Sequence, residues 1–257
     1  MAKSRFEYVK SFEQDDSLLP QCWIVVRIDG KGFTKFTSAH KFEKPNDVRA
    51  LQLMDACAKE VMREFGDIRI AYGESDEYSF IFHKSTHMYG RRSSKLVALT
   101  VSCFTGNYVR LWPQYLPNVT LQCTPTFDGR AVCYPTVEIL RDYLSWRQAD
   151  THINNQYNTC FWALVKSGKT TTEAQALLKD TQTRDKNELL FSQFNINYTE
   201  VPEQFRKGSI VVRQRQRVVV KHGEDGTPVE REVSVPTVLH VDIIGNQFWV
   251  DNPQILS

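Results

Sequence analysis

Two short stretches carry the residue types that could do chemistry. Asp29-Gly30-Lys31-Gly32-Phe33-Thr34 sets a carboxylate before a glycine-flanked turn, and Glu74-Ser75-Asp76-Glu77 packs three carboxylates into four positions. Like charges held close raise one another's pKa unless a cation neutralises them. The oxygens are hard ligands and neither stretch holds His or Cys, so Mg²⁺ suits them better than zinc. A pair of such ions about 3.5 to 4 Å apart, bridged by two Asp side chains, serves nucleotidyl transfer by activating an attacking oxygen and stabilising a leaving phosphate. Gly30 and Gly32 let main-chain N–H groups turn toward an anion, a cradle for a triphosphate, with Lys31, Lys35 and Lys44 to supply charge. The spacing matches neither the GxxxxGKS/T of a P-loop nor the GxGxxG of a dinucleotide fold. Taken singly, each stretch reads better as a turn, because Asp and Gly are common turn residues.

The elements around them bring the two stretches together. Residues 22–28 form an apolar, β-rich run that stops at Asp29-Gly30 and predict a buried strand. A helix follows Pro45-Asn46-Asp47, with Leu51, Met54, Ala58, Val61, Met62 and Phe65 at three-and-four spacing up to Gly66. Residues 68–73 and 77–83 read as strands of a tight hairpin, 92–110 as a second helix and 130–134 as a fourth strand. The order β-α-β-β-α-β is that of an α+β, ferredoxin-like split βαβ sheet, in which strands one and three lie antiparallel at the centre. Asp29, at the end of the first, must then adjoin Asp76 and Glu77 at the start of the third. A strand-end Asp beside a hairpin Asp is the palm arrangement of nucleotide polymerases and cyclases.

Residues 1–135 are thus expected to form a palm-like catalytic domain, and 136–257 a helical extension with a C-terminal β-hairpin arm packed on it. Helices are predicted at 136–146, 151–166, 170–179 (with a Thr170/Glu173 capping box) and 184–192. Alternation returns at 209–221 and 229–235, joined through Asp225-Gly226, a hairpin signal. The stretch 145–158 holds Arg147, Asp150, His152, Asn154, Asn155, Tyr157 and Asn158, which suits either capped helix ends or the reading of a base or ribose.

The 257 residues are 41% hydrophobic and 24% charged, a globular composition that excludes disordered, collagenous and coiled-coil classes. The longest apolar run, Cys160–Val165, falls far short of the roughly 20 residues that cross a bilayer. The N-terminal stretch mixes acids with lysines and resembles no targeting peptide, so an intracellular location, cytoplasm or nucleus, is expected. Six cysteines without a CxxC pair argue against a disulfide framework or zinc ribbon. Net charge is only +2, so any nucleic-acid partner must be held by a local patch. Two basic clusters qualify: Arg91, Arg92 and Lys95 at a helix start, where they oppose the dipole, and Arg206 to Lys221, in which Arg213, Arg215 and Arg217 share a strand face. Cross-strand pairing with Glu230 and Glu232 accounts for the latter equally well.

The blocks RIDGKGF (27–33), YGESDEYSF (72–80), SKLVALTVSCF (94–104), FDGRAVCYP (127–135), SWRQADTHINNQYN (145–158) and DKNELLFSQFNINY (185–198) closely resemble the eukaryotic tRNA-histidine guanylyltransferase family. The resemblance implies a polymerase-like palm that adds one guanosine to the 5′ end of histidine tRNA. ATP would adenylylate the 5′-monophosphate, the 3′-hydroxyl of GTP would attack the activated end and expel AMP, and pyrophosphate would then be released. It also implies two Mg²⁺ ions held by Asp29, Asp76 and the Gly30 carbonyl, triphosphate contacts from residues 29–34 and Ser75, and a homotetramer built as a dimer of dimers. Arg27, Glu77, Arg92, Lys95, His152, Asn155 and Lys186 fall on positions it suggests are functional: Glu77 and Lys95 in catalysis, the others toward RNA; Arg213 and Arg215 are read as RNA contacts from their charge and spacing, not from the resemblance. Thr34 departs from the family, which commonly has His there, and the hairpin after 212 matches weakly. A palm-type nucleotide cyclase and a non-catalytic RNA-binding module stand as alternatives.

Overall fold

The computed structural model describes residues 4–222 and 227–257. Strand β1 (Trp23–Gly30) is followed by α1 (Phe33–Ala39) and α2 (Val48–Glu64), then β2 (Ile68–Glu74), β3 (Glu77–Phe82), α3 (Ser93–Tyr115) and β4 (Phe127–Tyr134). Next come α4 (Val137–Lys166), α5 (Thr171–Leu178), α6 (Thr183–Phe194), α7 (Glu203–Lys207), β5 (Ser209–His222), β6 (Pro228–Leu239) and α8 (Gln247–Asp251). The six strands form one antiparallel sheet in the order β4-β1-β3-β2-β5-β6. The expected juxtaposition of β1 and β3 is therefore present.

Its physical basis is burial on both faces. Ile24, Val26 and Ile28 of β1 pack under α2 and α3, whereas Trp23 and Val25 face Leu140, Tyr143 and Leu144 of α4 and Phe248 and Trp249 of α8. A strand sandwiched in this way must be a continuous apolar run, as 22–28 is. Asp47 starts α2 by accepting the Arg49 N–H on its side chain. The Thr170/Glu173 capping box is formed at α5. A third, smaller core, with Cys160, Leu164, Ala174, Leu178, Leu190 and Tyr198, joins α4, α5 and α6.

The second half departs from expectation in two ways. The predicted helices 136–146 and 151–166 are one helix of 30 residues. The polar residues between them do not interrupt it because they face inward: Gln148 donates to the carbonyls of Lys207 and Val241 and accepts from Ile243 N–H, and Thr151 donates to Arg147 O. The expected arm is not separate either. β5 pairs with β2 from Gly73↔Ser209 to Ile70↔Val212, so the hairpin extends the sheet, and Ile210, Val211 and Val212 are buried in it. Its expected Asp225-Gly226 turn and Glu224 lie outside the described residues, as does the Lys221 side chain. Among the described residues no helix is long and apolar enough to cross a membrane.

Candidate active site

The chemistry-bearing stretches meet where β1 ends and β3 begins. Asp29 stands opposite Glu77 in the β1–β3 register, and β2 joins β3 through two residues, Ser75 and Asp76. The Gly30 N–H donates to Asp76 O at 3.1 Å and the Lys31 N–H to Thr126 O at 2.8 Å, which ties the two turns together. Gly30 has no room for a side chain, since a Cβ there would lie 2.3 Å from the Phe33 ring, and Gly32 takes φ 70°. The cradle is consequently narrower than expected. The Gly30 and Lys31 amides are spent internally, and the Phe33 ring is buried against Phe36, leaving the backbone at 32–34 and the exposed Thr34 side chain to meet a ligand.

Burial pushes the Asp76 carboxyl above its ordinary value, and the neighbouring Asp29 charge adds to the rise. Asp76 accepts from Ser75 Oγ at 3.0 Å, and no ion pair among the described residues includes it or Asp29. Neither is any group of three His, Cys, Asp or Glu side chains assembled there. The donor set is two neighbouring carboxylates, hard oxygens whose mutual repulsion a divalent cation would relieve, so Mg²⁺ fits these residues.

Glu77, expected in catalysis beside the metal-binding pair, is held by two arginines. Both its oxygens accept from Arg147 Nη1 at 3.1 Å, and Arg27 Nε lies 3.7 Å away. Arg147 also reaches Asp150 at 2.6 Å and Glu74 at 3.6 Å. The 145–158 stretch named Arg147 but not this role, because the three carboxylates it serves lie 3 to 73 residues away.

Beside Asp76 opens a pocket of about 420 Å³ between α1, the 42–47 loop, α2 and the far half of α4. Ser75, Asp76, Thr34 and Lys44 line it, with Asp47, Tyr157, Asn158 and Trp162. Lys44 donates to Thr37 Oγ1 at 3.1 Å, and burial lowers its pKa while Asp47 and Asp76 oppose that shift. The 145–158 stretch thus contributes Tyr157 and Asn158 to the pocket. Trp162 was missed, hidden in an apolar run that reads as core; its position one turn beyond Asn158 was the available signal.

Most of the residues assigned to RNA are engaged internally. Asn155 is buried, donating to Tyr198 Oη and accepting from Asn46 Nδ2. Lys186 is buried with Nζ on Thr181 O, and His152 packs edge-on to Tyr198. Arg92 pairs with Asp16 at 3.2 Å, and Arg91 is buried among the carbonyls of Leu18, Leu19, Cys22, Lys84 and Thr86. Of the helix-start cluster, Arg91 and Arg92 are therefore answered by protein oxygens, and Lys95 alone is left toward solvent. Arg213 donates to Met62 O and Phe65 O at the end of α2, which removes it from a basic strand face. Arg215 is exposed, 3.8 Å from Glu232, and Lys95 and Lys31 are exposed.

A family model described as "tRNAHis guanylyltransferase" matches residues 6–135, and one described as "Thg1 C terminal domain" matches residues 138–245. The chain is similar to the Neurospora crassa tRNA(His) guanylyltransferase, 51% identical over 100% of this chain and 97% of that one. The Schizosaccharomyces pombe tRNA(His) guanylyltransferase is 52% identical over 98% of this chain and 97% of its own. Among solved structures, the Saccharomyces cerevisiae enzyme of that name superposes with a TM-score of 0.78 at 50% identity, over 81% of this chain and 93% of that one. A bacterial Thg1-like protein in complex with ATP shares the fold, with a TM-score of 0.75 at 20% identity over 99% of both chains.

Proposed function

From the premise that this chain belongs to the tRNA(His) guanylyltransferase family, we propose that its α+β sheet is a polymerase-type palm that adds a guanosine to the 5′ end of histidine tRNA. The observation that carries this reading is the Asp29–Asp76 juxtaposition beside the pocket: two carboxylates without a protein cation, locked by the Gly30 N–H to Asp76 O bond. Residues 1–135 would supply the catalytic edge, and 136–257 the pocket wall and RNA-facing surface.

Asp29, Asp76 and the Gly30 carbonyl would hold Mg²⁺, which supplies charge neutralisation at the reacting phosphates. The remaining work falls to side chains. Lys44, Ser75 and the 32–34 backbone hold a triphosphate beside Asp76. The pocket receives the nucleoside of ATP or GTP, with Trp162 and Tyr157 as flat apolar walls and Asn158 as a hydrogen-bonding partner. In the proposed sequence a tRNA 5′-phosphate oxygen attacks the α-phosphorus of ATP and pyrophosphate leaves. The GTP 3′-oxygen then attacks the adenylylated end and AMP leaves, and water attacks the α-phosphorus of the new 5′ triphosphate to release pyrophosphate and leave a 5′ monophosphate. Lys95, Arg215 and Lys31 remain as exposed cations for the RNA backbone, and a homotetramer in the cytoplasm or nucleus accords with the family.

The test is incubation of histidine tRNA lacking its extra 5′ guanosine with ATP, labelled GTP and Mg²⁺. Label should enter the tRNA with wild type and not with Asp29→Ala or Asp76→Ala. A cyclic product formed without RNA would replace this reading with a cyclase, and tight tRNA binding without transfer would replace it with a binding module.

A further inference from the structure

The Arg147 guanidinium has no role in the chemistry above, yet its side chain is 5% exposed and it contacts three carboxylates. Nη1 donates to both Glu77 oxygens at 3.1 Å and lies 3.6 Å from Glu74, Nη2 reaches Asp150 at 2.6 Å, and Cζ stacks 3.9 Å from the Trp146 ring centroid. Glu74 and Glu77 are directly opposed register partners that close the β2–β3 hairpin. Everything beyond them is the loop, Ser75 and Asp76, with Ser75 in the left-handed region at φ 49°. Opposed like charges push strand ends apart. A hairpin closed by two partly buried glutamates, with Ser75 in the left-handed region, is held on its β1 side by the Gly30 N–H to Asp76 O bond and needs a cation where the glutamates oppose.

We propose that Arg147 is a positioning residue: reaching across from α4, it clamps Glu74 and Glu77 so that the Ser75-Asp76 loop keeps Asp76 against Asp29. The clamp also fixes α4 in register, and Asn158, three turns along the same helix, lines the pocket beside Asp76. One contact set therefore sets the distance between the bound nucleotide and the carboxylates. This inference rests on the two-carboxylate reading of the site.

Mn²⁺ alone, titrated into the full-length protein and followed by electron paramagnetic resonance, reports carboxylate geometry without turnover. Arg147→Met should weaken Mn²⁺ binding about tenfold and lower kcat by about a hundredfold with the KM for GTP little changed, the scale expected from a misplacement near 1 Å. Arg147→Lys, a point charge that cannot bridge two carboxylates, should fall between the two, roughly tenfold down in kcat. Asp150→Asn, on the outer side of the guanidinium, should stay close to wild type in both readouts. Assays run well below each variant's Tm separate the clamp from a stabilising role. A folded Arg147→Met with wild-type Mn²⁺ affinity and kcat overturns the proposal, and if that variant does not fold, wild-type values in Arg147→Lys do so. Asp76→Ala in the same titration is the arm for the underlying reading: if it still binds Mn²⁺ and adds guanosine, the two-carboxylate site fails, whereas its loss beside unaffected Arg147 variants removes the clamp alone.

Discussion

The carboxylate edge at Asp29 and Asp76 and the basic start of α3 at Arg91 and Arg92 are both dense in one sign of charge, and the fold treats them oppositely. At α3 the two arginines are answered from within: Arg91 spans carbonyls of two loop segments, and Arg92 pairs with Asp16, whose carboxylate also accepts the Ser94 N–H. At the carboxylate edge the main chain is satisfied, through the Gly30 and Lys31 amides, while Asp29 and Asp76 have no ion-pair partner among the described residues and Asp76 lines a pocket. Internal satisfaction lowers the energy of the folded chain alone. Withholding it costs stability and leaves a site that gains when a cation and a triphosphate arrive. What distinguishes a functional cluster is therefore where its partners are, and density of charge does not report that.

The contrast can be broken at either end. The largest effect is expected at the edge: Asp29→Ala or Asp76→Ala should cut guanosine addition by about a thousandfold or more, the scale of losing a group that stabilises transition-state charge, while circular dichroism and Tm stay near wild type. Arg91→Met should do the reverse. It orphans several buried carbonyls and should cost about 3 kcal/mol or more in urea unfolding, with tRNA affinity per folded molecule unchanged. Two of the three arginines of β5 repeat the test in miniature. Arg213→Met should lose about 1 kcal/mol from the uncapped end of α2. Arg215→Ala, by contrast, should leave Tm alone and make the salt dependence of tRNA binding shallower by about one unit of slope.

The smallest effect is at Asp16, whose carboxyl is held down to about 2, from an ordinary 3.8, chiefly by the Ser94 hydrogen bonds. A depressed carboxyl stabilises the fold above its unfolded-state pKa, and that contribution disappears as pH falls through the folded one. Wild type should therefore exceed Asp16→Asn in thermal stability at pH 5, and the gap should close between about pH 4 and pH 2. A gap undiminished at pH 2 would mean that charge is not what Asp16 contributes.

The legible parts of the chain were those governed by local or pairwise rules. The buried β1 run, the amphipathic α2, the β2–β3 hairpin and the α5 capping box each follow from spacing within a dozen residues, and the β1–β3 pairing follows from their order. What failed was the assumption that polar residues face water. Gln148 and Thr151 read as a helix break and are buried hydrogen-bonding hubs inside α4; Asn155, Lys186 and Arg213 read as contacts for RNA and hold helices together. The hairpin of β5 and β6 read as an appendage because its partner strand, β2, lies 136 positions earlier at Gly73↔Ser209.

By itself the sequence determined that Asp29 and Asp76 would share one edge, because strand order and alternation are short-range properties and the crossovers leave little choice of topology. Tertiary structure alone decided which charges would be free to act there. A side chain's role depends on the partners that distant segments bring to it, and for Glu77 that partner is a guanidinium 70 residues away on α4.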